Sequence, residues 1–537
     1  MSNNLETKLT EYAKTPAYPF HMPGHKRIMN PMESSSVTTV LSGTAEDSAD
    51  ISVTDPLENH FPENDESSSA KDPASGIYSL DITEIDGFDN LHDPQEILKT
   101  EMERAANLWG ARKTWFSVNG STCAILAAIS AAAAKGGRIH IERGCHMSVY
   151  HAAYLRELSL SYIDPNSEDA QAVSEISEGT DAVVITSPSY EGAVRDIQLW
   201  ANAAHEKGAL LIVDEAHGAH LGFHPYFPES AVRLGADLVA QSTHKTLPAM
   251  TQTALLHAAS DRVDTRKVDF FFDIYETSSP SYVLMASITA AMHLLENQRQ
   301  KLFDDYVRRL VKVRSRLNSL THFSLDGGSM PEASGEDRKR FDPGKLVIRV
   351  KYPGKCHLYK GREVYPDGSW LYELLRLEYH LQMEMRAPDY VLAMTSIADT
   401  DEGFDRLVCA MEEIDRALAL TGDEDARAEE AVGAGSAKKT QCREAPETNE
   451  GIKNGLALPR CSLPMFEACE MKSELVPLGQ AAGRIATDFV ILYPPDAPLI
   501  VPGEEFNMDL VQAILSYRER GFQIIGADDN RVLCVIT

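Results

Sequence analysis

The sequence of 537 residues predicts an α/β protein built on a mainly parallel sheet, with a small α+β domain and a C-terminal α+β domain behind it. Three observations carry that prediction. Short apolar runs alternate with helical patterns between residues 73 and 287, polar residues gather directly after those runs, and two stretches of biased composition divide the chain.

Residues 1–30 read as an N-terminal arm. Residues 31–72 follow with ten acids, a single lysine and two serine triplets, and they have no sustained apolar period, as expected of a flexible surface insertion. In 73–287, a large α/β domain, the runs Arg138–Glu142, Asp181–Thr186, Ala209–Asp214 and Asp237–Gln241 read as buried strands. Cys123–Ala134 and Leu199–Lys207 read as helices between them. Repeated strand, helix, strand needs crossovers and therefore a parallel sheet covered on both faces. From 288 to 420 the pattern becomes a long helix, Ile288–Leu317, a strand at Leu346–Val350, a helix at Trp370–Met383 and a strand at Tyr390–Thr395. Residues 421–455 contain Gly433-Ala-Gly-Ser436 and suit a flexible linker. Residues 456–537 repeat helix and strand on a smaller scale and end in a strand, Arg531–Ile536.

Charge removes two partner classes. Lys and Arg total 51 against 80 Asp and Glu, a net −29 that repels nucleic acid and anionic membrane surfaces. The first residues lack a basic start followed by an apolar stretch, so no secretory signal is expected. The apolar run around Cys123 falls far short of the ~20 residues that cross a bilayer. Eight cysteines without a CxxC pair form neither a disulfide framework nor a zinc site, which suits the reducing cytoplasm.

The chemistry-bearing residues follow the apolar runs, where a parallel sheet presents the rim that binds ligands. Lys245 lies in Ser242-Thr-His-Lys245-Thr, flanked by hydroxyls and His244. Desolvation and a neighbouring cation turn such a lysine into a free amine able to attack a carbonyl, whereas a solvated surface lysine is the plain alternative. Asp214 ends a strand 31 residues earlier, in Val213-Asp-Glu-Ala-His217. An acid there can hold a ring nitrogen protonated. It can equally cap a helix, and with His217 and His220 it loosely resembles a metal cluster that lacks a second group of ligands. Asn119-Gly120-Ser121-Thr122 opens a helix, where backbone N–H groups and hydroxyls make either an anion site or a simple cap.

These residues resemble the pyridoxal-phosphate-dependent ornithine/lysine/arginine decarboxylases of bacteria. The resemblance also rests on Phe20-His-Met-Pro-Gly-His-Lys26, Leu80-Asp-Ile-Thr-Glu-Ile-Asp-Gly87, Cys145-His146-Met-Ser148, Thr277-Ser-Ser-Pro280, Tyr493-Pro-Pro495 and Val501-Pro-Gly-Glu504. It implies an aspartate-aminotransferase-like, fold type I enzyme in compact form, without an N-terminal wing domain. It further implies that Lys245 carries pyridoxal 5'-phosphate as an internal aldimine, Asp214 pairs with the ring nitrogen and His146 stacks on the ring. Gly120, Ser121, Thr122, Ser242 and His244 surround the phosphate, while His217 and Ser189-Tyr-Glu-Gly192 border the cofactor. Thr277 and Ser278 lie beside the site of a neighbouring subunit in a homodimer or larger homo-oligomer, and His21 and His25 reach in from the arm.

The implied reaction removes the α-carboxylate of arginine, lysine or ornithine as CO2, leaving the corresponding amine. His244 or the freed Lys245 returns the proton, and no metal is used. The acid that reads the far end of the substrate is one of Glu384, Asp496, Glu504 and Glu505. Two alternatives accompany this reading. Another enzyme on the same fold, such as an aminotransferase, would clamp the substrate carboxylate through Arg349 or Arg386, and a silent relative would regulate an active partner.

Overall fold

The computed structural model describes residues 18–20, 80–164, 167–328, 340–353, 355–431, 458–493 and 497–536. The expected insertion at 31–72, His21, His25 and Asp496 lie outside the described residues.

Strand β1 (Tyr18–Phe20) stands apart from the main sheet. That sheet contains β2 (Lys113–Ser117), β3 (Arg138–Glu142), β4 (Ser159–Ile163), β5 (Ala182–Thr186), β6 (Leu210–Asp214), β7 (Leu238–Gln241) and β8 (Ala254–Ala258). Its order is β2-β8-β7-β6-β5-β3-β4. All neighbours from β7 to β4 run parallel, and β8 is antiparallel to both β7 and β2.

Helices cover both faces, so the inner strands β5, β6 and β7 are buried at nearly every position. In β6, Leu211 and Val213 enter one core cluster and Ile212 the other; β5 and β7 divide in the same way. The helices that position the site are α1 (Ile97–Trp109), α2 (Gly120–Ala132), α3 (Met147–Leu155), α4 (Ile197–Glu206), the single turn α5 (Thr243–Thr246) and α6 (Thr265–Tyr275). Ala124, Ala127 and Ala128 of α2 are fully buried, and their small side chains let α2 lie close on the sheet.

Helix α7 (Tyr282–Asn318) starts before residue 288, because the Ser281 side chain caps it by accepting from the Leu284 N–H. The smaller region contains β9 (Phe323–Leu325), β10 (Lys345–Val350), the hairpin β11 (His357–Tyr359) and β12 (Arg362–Val364), α8 (Gly368–Leu377), β13 (Leu381–Met383), β14 (Met385–Arg386) and β15 (Tyr390–Met394). Strands β14-β15-β10-β9 form an antiparallel sheet.

The helix expected over Trp370–Met383 therefore stops at Leu377. His380 adopts φ +53°, a left-handed turn that a helix cannot contain, and Leu381 and Met383 then bury alternate positions of a strand. That strand, β13, pairs in parallel with β1, and Tyr18 Oη donates to Asp399 Oδ1 at 2.9 Å. Helix α9 (Asp401–Ala431) continues past residue 420, where composition places the start of the linker; the Ala, Glu and Arg content of 421–431 also favours helix.

The C-terminal part contains β16 (Ser473–Pro477), β17 (Val490–Tyr493), β18 (Ala497–Ile500), α10 (Met508–Glu519), β19 (Gln523–Ile525) and β20 (Arg531–Val535). It has its own core around Leu478, Ile500, Phe506 and Ile514. Met465, Ile491 and Val501 pack into the core beneath α2 and α3, which docks this part against the main sheet domain. No helix among the described residues is long and apolar enough to cross a membrane.

Candidate active site

Strand register brings the rim residues together. Thr186 of β5 pairs with Asp214 of β6, and Asp214 with Ala240 of β7, so Asp214 and the segment leading to Lys245 emerge side by side at the carboxyl ends. Asp214 is 5% exposed, and its Oδ1 accepts from the Ala216 N–H at 3.1 Å. The following turn is tight: a Cβ on Gly218 would stand 2.5 Å from Glu215 Cγ. That turn carries His217 across to α5.

His217 lies between two lysines. Its Nε2 is 3.0 Å from Lys245 Nζ, and its Nδ1 is 2.5 Å from Lys345 Nζ. Burial, then Lys245, Lys345, His244 and His146, push its pKa well below the ordinary histidine value, so the ring is neutral. Burial lowers Lys245 against the pull of Asp214 and Glu384. Lys345 is lowered to about 8, chiefly by burial, against Asp342 and Glu384. His244 is lowered to about 4, again first by burial, and its Nδ1 lies 2.8 Å from the Thr253 carbonyl oxygen. A neutral His244 donates there and leaves Nε2 without a proton.

The other end of the cleft is built at the start of α2. Glu276 Oε2 accepts from Ser117 Oγ at 2.9 Å and the Val118 N–H at 3.0 Å, which fixes the turn from β2 into the helix. Gly120 takes φ +75°, a conformation L side chains rarely adopt, and nothing but the Gln252 carbonyl approaches its missing Cβ. Ser242 Oγ donates to Ser121 Oγ at 2.9 Å, joining the two hydroxyl segments, while Thr122 is exposed. His146 is exposed at the N-cap of α3, where its Nδ1 accepts from the Ser148 N–H at 3.2 Å. Lys245, Asp214, His217, His244 and His146 thus form one group, with Ser121 and Ser242 bonded to each other.

Thr277 and Ser278 lie elsewhere, on the loop between α6 and α7. Thr277 Oγ1 accepts from the Ser279 N–H at 3.3 Å, its carbonyl lies 2.8 Å from His92 Nε2, and Ser278 is exposed.

Several sequence candidates separate once their partners are known. Glu504 Oε2 accepts from Arg143 Nη2 at 2.7 Å, with the two side chains 2% and 7% exposed. It is a docking residue, and its charge is committed. Glu505 contacts the Ser462 hydroxyl. Of the described candidates for the substrate's far end, Glu384 is the one that stands with the lysines, and its Oε1 accepts from Tyr190 Oη at 2.5 Å. The expected carboxylate clamps are occupied: Arg349 holds Asp326 with two bonds of 2.7 and 2.8 Å and Asp389 with one of 2.9 Å. Arg386 Nη2 donates to the Gly521 carbonyl at 3.2 Å.

Lys345 was not legible. It opens β10 after Asp342-Pro-Gly, and a lysine at the start of a strand reads as solvated; only its 1% exposure marks it out.

The pattern of the "Orn/Lys/Arg decarboxylase, major domain" matches residues 74–345, and that of the "Orn/Lys/Arg decarboxylase, C-terminal domain" matches residues 463–523. The chain belongs to the Orn/Lys/Arg decarboxylase family. Within that family, it is 26% identical to the arginine decarboxylase of Bacillus anthracis over 98% of this chain and 95% of that protein. It is 22% identical to the lysine decarboxylase LdcA of Pseudomonas aeruginosa, over 78% and 66%. Its fold is similar to that of the Francisella novicida lysine decarboxylase LdcF, with a TM-score of 0.65 at 17% identity over 98% of this chain and 80% of that one.

Proposed function

We propose that this protein is a carboxy-lyase that uses pyridoxal 5'-phosphate to remove the α-carboxylate of a basic L-amino acid, with arginine preferred. The observation that carries the reading is the amine of Lys245 beside buried Asp214 on one sheet rim. Arginine is favoured because the Bacillus relatives matched over most of their length are named arginine decarboxylases.

The residues fit the cofactor. The bonded Ser121 and Ser242 hydroxyls at the N-terminus of α2 suit a phosphate, and the buried Asp214 carboxylate suits a ring nitrogen. The cofactor supplies an electron sink for the pair left behind by CO2. Lys245 would hold it covalently, Gly120, Ser121, Thr122 and Ser242 would hold its phosphate, and Asp214 would keep the pyridine nitrogen protonated. His146 presents an exposed ring for stacking. Lys245 is the better proton donor to the product carbon, since His244 has its proton on the side of Thr253 and burial opposes a second one. Glu384 is the acid placed to meet the substrate's cationic end. Thr277 and Ser278 serve the site of a second copy, in a homodimer or larger assembly. The free thiols of the described cysteines suit a cytoplasmic setting. Residues 73–287, 288–420 and 456–537 act as the cofactor, small and C-terminal domains.

With both candidate clamps, Arg349 and Arg386, bound to partners within the chain, the aminotransferase alternative loses the residues expected to serve it. Arginine, lysine and ornithine supplied in parallel, with CO2 and amine measured, test the proposal. Release of both products from at least one substrate, abolished in Lys245→Ala, is expected. Keto acid in place of CO2, or turnover unaffected by Lys245→Ala, overturns it.

A further inference from the structure

Lys345 enters the cleft from β10 and has no part in the chemistry described so far. Its Nζ lies 2.5 Å from His217 Nδ1, and the other nitrogen of the same ring lies 3.0 Å from Lys245 Nζ. A neutral imidazole has one N–H and one lone pair. It donates to one lysine, which must then be a free amine, and accepts from the other. The bridge is incompatible with two ammonium groups.

The surroundings hold Lys345 in this position. A Cβ on Gly192 would stand 2.9 Å from Lys345 Cγ, and Gly192 itself has φ +107°, so glycine both permits the turn and leaves room for the lysine stem. The Gly192 carbonyl accepts from the Asp342 N–H at 2.7 Å, tying the loop after β5 to the start of β10. The charged and titratable groups facing the pair are Asp342, itself 3.2 Å from His220 Nε2, with Glu191 and Tyr190 from the loop after β5, Glu384 from the turn between β13 and β14, and Asp214 from β6. The Tyr190 ring packs against His217, with centroids 4.8 Å apart. Burial lowers the proton affinity of both lysines.

We propose that Lys245, His217 and Lys345 form a proton relay in which Lys345 is a positioning residue that takes the Lys245 proton and so frees the amine for covalent attachment of the cofactor. One N–H bond of the Lys245 ammonium breaks as that proton bonds to His217 Nε2. The His217 Nδ1–H bond breaks as its proton bonds to the lone pair of the Lys345 amine. The ring ends in its other tautomer, the total charge is unchanged and no co-reactant is needed. The reverse transfer restores the Lys245 proton. This inference rests on the reading of Lys245 as the cofactor lysine.

The test uses the full-length apoprotein, mixed with pyridoxal phosphate between pH 6 and 9. Attachment is followed by absorbance, and the attached residue is identified by borohydride fixation and peptide mass spectrometry. In the wild type, attachment occurs at Lys245 at a rate independent of buffer-base concentration. In Lys345→Met the rate at pH 7 falls about tenfold or more, its pH midpoint rises by about one unit, and added buffer base accelerates it. Wild-type rates and buffer independence in Lys345→Met overturn the relay. If the variant does not fold, the wild type still decides: a rate that rises with buffer base overturns the relay. Fixation at a residue other than Lys245 in the wild type instead overturns the reading on which the relay rests.

Discussion

Glu504→Ala should release the C-terminal part from the main sheet domain. Arg143 gives Glu504 a 2.7 Å bond from Nη2, and the pair is almost fully buried. The Val501 N–H also donates to Glu504 Oε2 at 2.8 Å, so the carboxylate fixes the Val501-Pro-Gly-Glu504 turn and ties it to Arg143, three residues before His146. Removing the carboxylate strands a buried guanidinium that keeps only a 3.1 Å bond to Tyr150 Oη and a 3.4 Å bond to the Leu499 carbonyl. Breaking one partner of such a pair costs about 3–5 kcal/mol. All four tryptophans, Trp109, Trp115, Trp200 and Trp370, lie outside the C-terminal part, so fluorescence would miss the event. Amide hydrogen exchange in β17, β18 and β20 reads it directly. If these strands exchange through undocking, their rates should rise by about two to three and a half orders of magnitude, with β5 to β7 unchanged. Arg143→Met with Glu504→Leu should recover most of the loss, because two apolar residues leave no unpaired charge. Exchange in Glu504→Ala within about threefold of wild type would refute this reasoning.

Acid should destabilise the folded chain through its buried histidines. Burial depresses His257 to about 3 and His244 to about 4, so between pH 6.5 and those values the unfolded state binds protons that the folded state refuses, and stability falls as pH falls. His257→Gln should flatten the unfolding free energy, measured by denaturant titration and plotted against pH, by up to about 1.4 kcal/mol per unit below pH 6; an unchanged slope counts against it. Arg349→Met should reduce thermal stability while leaving kcat within about threefold, because its guanidinium is held by Asp326 and Asp389. A loss of turnover with the fold intact would return it to the list of substrate clamps.

The main sheet was legible because parallel strands buried on both faces are written as unbroken apolar runs, and β3, β5, β6 and β7 appear within a residue of their expected bounds. Asp214, His217 and Lys245 were legible because they follow those runs directly. The smaller region was harder. Leu381–Met383 is too short to display alternation, and its strand character comes from pairing with Tyr18–Phe20, more than 350 residues earlier in the chain. The role of Glu504 depends on a partner 361 residues away, which no local pattern encodes. Lys345 was hidden for the same reason: the ring it bonds lies 128 residues earlier, and the gap it fills belongs to Gly192.

The most direct measurement is borohydride fixation of pyridoxal phosphate on the purified full-length protein, with the labelled peptide sequenced by mass spectrometry. Label on Lys245 alone is predicted. Label on Lys345, or no stable label on a protein that nevertheless releases CO2 from arginine or lysine, would contradict the central claim.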